Sequence, residues 1–271
     1  MSPTSPSNPA DPATTDDAFL GGRLHILQPA AGYRAGLDAV LLAAALAPDG
    51  DKPVHALDTG AGAGVVGLAV ASRLIHARVT LVEADPVVLT LAKRNIERNG
   101  FADRCTAIER DLSLGGAAFT ASGGDDGLKP GTFTHALSNP PFFETGTGTR
   151  SPTPYKAAAH QMPAGLLDRW IAFMTAATVH GGELLMIHQP QALARILQAL
   201  DGRFGDIRIL PVHSKPTAPA NRILVRARKA SRAPLSLLPR LVLHDASGAF
   251  HPAIEAVLRH AQPLPGPSDA S

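Results

Sequence analysis

The chain has 271 residues, 45% of them apolar, with a formal charge of +2 and a single cysteine, Cys105. That is enough to bury one sizeable core. One cysteine excludes an internal disulfide and fits a reducing compartment. No run of about 18 apolar residues is present to span a bilayer. The N-terminus has neither a basic nor an apolar signal-type region, so a cytoplasmic protein is expected. Charge is uneven along the chain. Residues 1–150 hold 12 Lys/Arg against 16 Asp/Glu, and residues 151–271 hold 13 against 7. A basic C-terminal half suits a polyanionic partner, although ordinary solvated charge would leave the same composition.

Residues 1–18 are rich in Ser, Pro, Thr and Asp and read as a disordered tail. A single domain is expected over 19–262, with 19–52 as an N-terminal cap segment and 263–271 as a second tail. Leu24–Leu27 reads as a short strand, and Asp38 opens an Ala/Leu-rich helix. Val54–Leu57 is a buried strand followed by Asp58, and glycines stand at 60, 62 and 64 before the helical run Val65–Leu74. Val79–Glu83 is the next strand, and Pro86 starts a helix that Asn99 and Gly100 end. Cys105–Glu109 is a strand followed by Asp111. Residues 113–131 read as a surface loop. Thr132–Ser138 is a strand that runs straight into Asn139-Pro-Pro-Phe-Phe143, and Glu144–Ala159 reads as a mobile loop. Ala164–Val179 is a helix, Glu183–His188 a strand and Gln191–Leu200 a helix. Ile207–Val212 and Arg222–Arg228 form a hairpin. This alternation predicts a Rossmann-like, doubly wound α/β fold, a mostly parallel seven-stranded sheet closed by a C-terminal antiparallel hairpin.

Two cofactor classes compete for the glycine turn. Gly62, Gly64 and Gly67 spell the dinucleotide fingerprint, which would suit a nicotinamide oxidoreductase. Asp58-x-Gly60-x-Gly62-x-Gly64 equally matches the loop of S-adenosylmethionine enzymes, and Asp58 could help hold that ligand's ammonium. Under either reading Glu83, closing the second strand, can accept hydrogen bonds from the two hydroxyls of an adenosine ribose. Asn139 offers a side-chain carbonyl to an amine. The two prolines after it remove N–H donors and stiffen the backbone, and Phe142 offers a face for stacking. Together these suit a planar ring with an exocyclic amine. No His-Glu-x-x-His or Cys/His cluster suggests a metal. Cys105 reads as a buried, inert thiol, Trp170 as a core anchor, and His180 and His188 as edge residues.

The segments Gly32-Tyr-Arg-Ala-Gly-Leu-Asp-Ala-Val-Leu-Leu-Ala43, Leu57-Asp-Thr-Gly-Ala-Gly-Ala-Gly64 and Ser138-Asn-Pro-Pro-Phe-Phe143 resemble class I S-adenosylmethionine-dependent methyltransferases of the amino-methylating type. More narrowly they resemble the bacterial tRNA adenine-N6 methyltransferases that modify the adenosine beside the anticodon of a valine tRNA. The resemblance implies S-adenosyl-L-methionine as cofactor and structured RNA, tRNA in particular, as partner. It places Asp58, Gly60 and Gly62 at the methionine end, Glu83 on the ribose and Asp111 at the adenine amine. Asn139 and the Pro140 carbonyl would hold the target amine, with Phe142 stacking on the base. Arg34 and Asp38 would belong to a segment closing over the cofactor. Asn-Pro-Pro-Phe also occurs in guanine-N2 rRNA methyltransferases, and Asn-Pro-Pro-aromatic enzymes also methylate a protein glutamine amide, which leaves those acceptors open. Arg222, Arg226 and Arg228 fall at even spacing along one predicted strand and form a candidate phosphate track.

Overall fold

Buried apolar segments alternating with helices assemble into a nine-stranded sheet covered on both faces. The computed structural model describes residues 13–32, 34–48, 50–120, 127–141, 143–144, 161–162 and 165–265. In chain order the strands are β1 (Thr14–Phe19), β2 (Leu24–Pro29), β3 (His55–Thr59), β4 (Arg78–Glu83), β5 (Cys105–Glu109) and β6 (Phe133–Ser138). Two two-residue strands follow, β7 (Phe143–Glu144) and β8 (Gln161–Met162). Then come β9 (Thr178–His188), β10 (Phe204–His213), β11 (Ala220–Lys229), β12 (Ser236–Leu237) and β13 (Leu241–Val242). The helices are α1 (Leu37–Ala45), α2 (Val65–Arg73), α3 (Pro86–Arg98), α4 (Leu166–Ala177), α5 (Leu193–Leu200) and α6 (Pro252–His260).

Strand order is β5-β4-β3-β6-β9-β11-β10-β12, with β13 also beside β10. Strands β3, β4, β5, β6 and β9 run parallel, and β11 lies antiparallel to both β9 and β10. The winding reverses between β3 and β6, the place where open α/β sheets bind ligands at their carboxyl ends. Alternate side chains feed opposite faces. Leu81, Leu137, Leu185 and Leu224 pack with α1, α2 and α6. Leu57, Val82, Met186 and Val225 pack with α4 and α5. Helix α3 shows why its ends fall where they do. Asp85 Oδ1 accepts from the N–H groups of Val87 and Val88, Pro86 occupies the first turn, and Gly100 follows at φ +72°.

The seven long strands and the closing hairpin match the expected fold, and several local readings change. Residues 14–18 are not tail: they form β1, paired with β2 from Thr14↔Pro29 to Phe19↔Leu24. Backbone pairing needs no apolar side chains, so composition cannot signal it. At the other end Leu264 N–H donates to Ala44 O at 3.1 Å, so the ordered chain passes residue 262. The first part of the expected loop 113–131 instead belongs to 3-10 turns, Leu112–Phe119, that pack against α4, with Leu112, Ala118 and Leu128 buried. Residues 145–159 of the second expected loop lie outside the described residues. His188 is buried, because β9 is flanked by β6 and β11 rather than lying at an edge. Burial pushes its imidazole down to about 4.

The guanidinium row on β11 also has a different partner from the one expected. Arg226 Nε donates to Glu183 Oε2 at 2.7 Å, and Arg228 Nη2 donates to Glu183 Oε1 at 2.7 Å. Glu183 is only 6% exposed, so it needs these cations. Both arginine side chains are about a third exposed, which softens the cost of losing them. Replacing both by Ser is expected to destabilise the fold by about 1–3 kcal/mol, less than for a fully buried pair. A melting temperature equal to wild type would show that Glu183 does not depend on them.

Candidate functional site: a cofactor cavity and its acceptor edge

The turn after β3 is built against a tryptophan. Gly60 has φ +66°, and a Cβ there would lie 2.3 Å from Trp170 Cζ2. Only glycine lets the ring approach this closely. Trp170 Nε1 donates to Thr59 Oγ1 at 3.1 Å, and Thr59 Oγ1 donates to Leu137 O at 2.8 Å. Ser138 Oγ donates to Thr59 O at 3.1 Å. The ends of β3 and β6 and the start of α4 are thereby tied together at the reversal point. Trp170 is more than a core anchor, since it also lines the cavity beside this turn.

That cavity has a volume of about 410 Å³. Gly60, Gly62 and Glu83 form its floor, Arg110, Asp111 and Ser113 one side, and Asn139, Pro141 and Trp170 another. Gln28, Pro29 and Ala35 complete the wall on the cap side. Glu83 is held in place by backbone donors: Gly62 N–H to Oε2 at 2.9 Å, and Ala84 and Asp85 N–H to Oε1 at 2.8 and 2.9 Å. Asp111 accepts from Ser113 N–H at 2.8 Å and Ser113 Oγ at 2.7 Å.

Of the residues singled out in the sequence, Gly60, Gly62, Glu83, Asp111 and Asn139 therefore meet around one cavity. Among the other described candidates, Asp58, Arg34, Asp38 and Pro140 do not line it. Asp58 is 1% exposed beneath the turn, where Oδ2 accepts from Gly67 N–H at 2.8 Å. Arg34 donates to both carboxylate oxygens of Asp17, at 2.6 and 2.7 Å. Asp38 accepts from Arg222 Nε at 2.7 Å. The upstream segment does reach the cavity, through Gln28 and Ala35 instead. Gln28 Oε1 accepts from Ala35 N–H at 2.8 Å, and its Nε2 donates to Asp17 at 2.9 Å. Pro141 rather than Pro140 lines the wall, and Phe142 lies outside the described residues.

Asn95, which no motif marks, secures the cap strand. Its Oδ1 accepts from Leu27 N–H at 2.8 Å, and its Nδ2 donates to Leu27 O and Ala63 O, both at 2.9 Å. One turn later Asn99 grips His25 the same way, at 3.0 and 2.9 Å. The i, i+4 spacing of two asparagines along α3 was the only available signal.

Asp58 also predicts a pH effect. Burial, with Glu83 nearby adding to it, pushes its carboxyl up to about 7, against the opposing Gly67 N–H bond. A carboxyl raised in the folded state stabilises fully below its unfolded value, and that contribution is lost as pH rises through about 7. Asp58→Asn keeps an acceptor but removes the titration. The stability of the variant relative to wild type is expected to climb between about pH 4 and pH 7, by up to ~4 kcal/mol. Parallel melting curves at both pH values test this; His188, common to both proteins, cancels. A flat difference would mean that Asp58 stays ionised.

Glu83→Ala should weaken S-adenosylhomocysteine binding at least about tenfold, because charge-assisted hydrogen bonds are worth ~1.5–3 kcal/mol each. It should also loosen the Gly62 turn and lower the melting temperature. Calorimetric titration that gives a wild-type dissociation constant would remove Glu83 from the site.

Among the described residues no group of three or more His, Cys, Asp or Glu could hold a metal ion, and no helix is long and apolar enough to cross a membrane. Cys105 is buried in the sheet, its thiol pushed up to about 11 by burial.

Comparison with known proteins decides between the two cofactor classes. The family model for the methyltransferase small domain matches residues 36–215. A Porphyromonas gingivalis protein named tRNA1(Val) (adenine(37)-N6)-methyltransferase is 29% identical over 243 residues, covering 87% of this chain and 91% of that protein. A Shewanella loihica protein of the same name is 26% identical, covering 88% and 96%. Among solved structures, an Agrobacterium tumefaciens protein described as a predicted O-methyltransferase superposes with TM-score 0.67 at 34% identity, covering 81% of this chain and 94% of that one. The acidic strand end at Glu83, the open backbone at Gly62 and the apolar Trp170 wall fit an adenosyl ligand with a short amino-acid arm. The chain belongs to the methyltransferase small domain family and is an S-adenosylmethionine-dependent methyltransferase.

Proposed function

We propose that the acceptor is the N6 amine of an adenine in tRNA. The observation that carries this reading is the place of Asn139, at the carboxyl end of β6 and in the wall of the cofactor cavity. The bound cofactor supplies an electrophilic sulfonium methyl. The work of the chain is to present a weak nucleophile to it. An aromatic amine has its lone pair delocalised into the ring. Asn139 Oδ1 and the Pro140 carbonyl would accept its two hydrogens, favouring a pyramidal nitrogen whose lone pair faces the cavity. Phe142 would stack on the base. Rate enhancement then comes mainly from positioning, and the amine proton becomes acidic only as charge develops on nitrogen, so no strong base is needed beforehand.

The relatives named for adenine-37 of tRNA1(Val) align over nearly their whole length, which supports tRNA adenine over other acceptors. A Rhodopirellula baltica release factor glutamine methyltransferase is 28% identical but covers only 57% of this chain and 51% of that protein. Labelled methyl transfer to total bacterial RNA and to total protein, followed by nucleoside analysis, tests the reading. N6-methyladenosine in the tRNA fraction is the expected product. N2-methylguanosine, or label in protein alone, would overturn it.

A further inference from the structure

We propose that the sheet rim beyond Asn139, from Arg222 across the β10–β11 turn to Arg240, is the surface on which the RNA flanking the target base docks. The proposal rests on the RNA acceptor proposed above and locates the partner on the molecule.

Register defines this rim. Ser138 pairs with Met186, so β6 and β9 run on side by side to Asn139 and His188. Ile223 pairs with His188, Val212 with Arg222, and His213 with Val242. The start of β11, the end of β10 and β13 thus lie along the same edge as Asn139. With strands ~4.8 Å apart, β10 and β13 stand on the order of 15–20 Å from the acceptor position. That is the reach of nucleotides next to a base held at Asn139.

Charge divides along this edge. On the cofactor side the acids Glu83, Asp85 and Asp111 outnumber Arg110, and beyond Asn139 stand Lys215 and Arg240, with Arg222 paired to Asp38. Lys215 and Arg240 are exposed. The turn carrying Lys215 is braced by its neighbours. His213 Nδ1 donates to Ala218 O at 2.7 Å, His244 Nδ1 to Ser214 O at 2.8 Å, and Arg240 Nη1 to Pro216 O at 3.0 Å. The acids near this stretch are engaged. Glu255, which shares a cavity wall with Phe250, accepts from Arg259 Nε at 2.8 Å. Asp38 accepts from Arg222, and Asp245 accepts from Ser247 and Ala249. A fixed turn holding its cations towards solvent suits phosphate.

An aromatic face accompanies the cations. Phe250 stacks on His244 with ring centroids 4.4 Å apart and an interplanar angle of 25°, and it remains 38% exposed. Cations beside an exposed ring are the combination that binds unpaired nucleotides. Arg226 and Arg228 lack this setting, since Glu183 takes them towards the opposite end of the strand.

The test is anisotropy titration of unfractionated bacterial tRNA at several salt concentrations. Lys215→Glu, which leaves every brace of the turn intact, should weaken binding on the order of tenfold and flatten the salt slope by about one unit. Adding Arg240→Gln should flatten it by about one more. Phe250→Ala should weaken binding about tenfold with the slope unchanged, because stacking releases no counterions. S-adenosylhomocysteine affinity should be unaltered in all three. If wild type binds tRNA and Lys215→Glu matches it in affinity and slope, this surface is wrong while the acceptor stands. If wild type binds and methylates no RNA, the acceptor reading falls and this surface with it.

Discussion

Asn139→Ala is expected to lower methyl transfer by about 100-fold or more while leaving S-adenosylhomocysteine affinity within about twofold of wild type. Asn139 directly follows β6, buried to 8% exposure, in the wall of the cavity, where the proposed acceptor would enter. Its carbonyl oxygen would orient the target amine, and alanine leaves that amine planar and free to rotate. The neighbouring prolines keep the backbone in place, so the fold should not change. Asn139→Asp restores an acceptor and should recover part of the rate. The diagnostic pattern is a fall in kcat with cofactor affinity preserved. Wild-type turnover in Asn139→Ala would remove this residue from the acceptor site, whichever base is methylated.

Gly60→Ala is expected to cost about 2–3 kcal/mol of stability and to abolish high-affinity cofactor binding. Two effects combine. The residue sits at φ +66°, which costs an L-residue about 1–2 kcal/mol. The added methyl would also fall 2.3 Å from Trp170 Cζ2, forcing the indole out and breaking its hydrogen bond to Thr59, which costs about 1 kcal/mol more. The melting temperature should drop by about 5–10 °C. Gly62→Ala is the control. It has a similar φ, +57°, but nothing lies within 4 Å of the added carbon. It should lose less stability and act mainly on the cofactor. Equal melting temperatures for Gly60→Ala and wild type would mean that Trp170 is not held against this turn.

Local chemistry was legible because its causes are local. The Pro86 start and Gly100 end of α3, the strand Cys105–Glu109 and the glycine turn after β3 all follow from short-range sterics and capping, and they stand where the residues place them. The alternation of strands and helices was enough for the doubly wound sheet. Gly60, Gly62, Glu83 and Asn139 could be read as candidates because they sit at strand ends, which a parallel sheet brings to one edge, and Asp111 through the family resemblance.

What the sequence could not decide is which long-range partner each polar side chain takes. Arg34 and Asp38 belong to the cap segment, yet Asp17 and Arg222 claim them, and Gln28 and Ala35 reach the cavity instead. Trp170 looks like core by composition and becomes cavity wall only because α4 crosses the β3 turn. Arg226 and Arg228 share a strand face as their spacing required, but the role of that face depends on Glu183, about 45 residues earlier in the chain and on the adjacent strand. A lone charge on a strand is compatible with solvent, phosphate or a carboxylate. Burial of Glu183 selects the carboxylate, because a desolvated acid left unpaired costs far more than a surface ion pair returns.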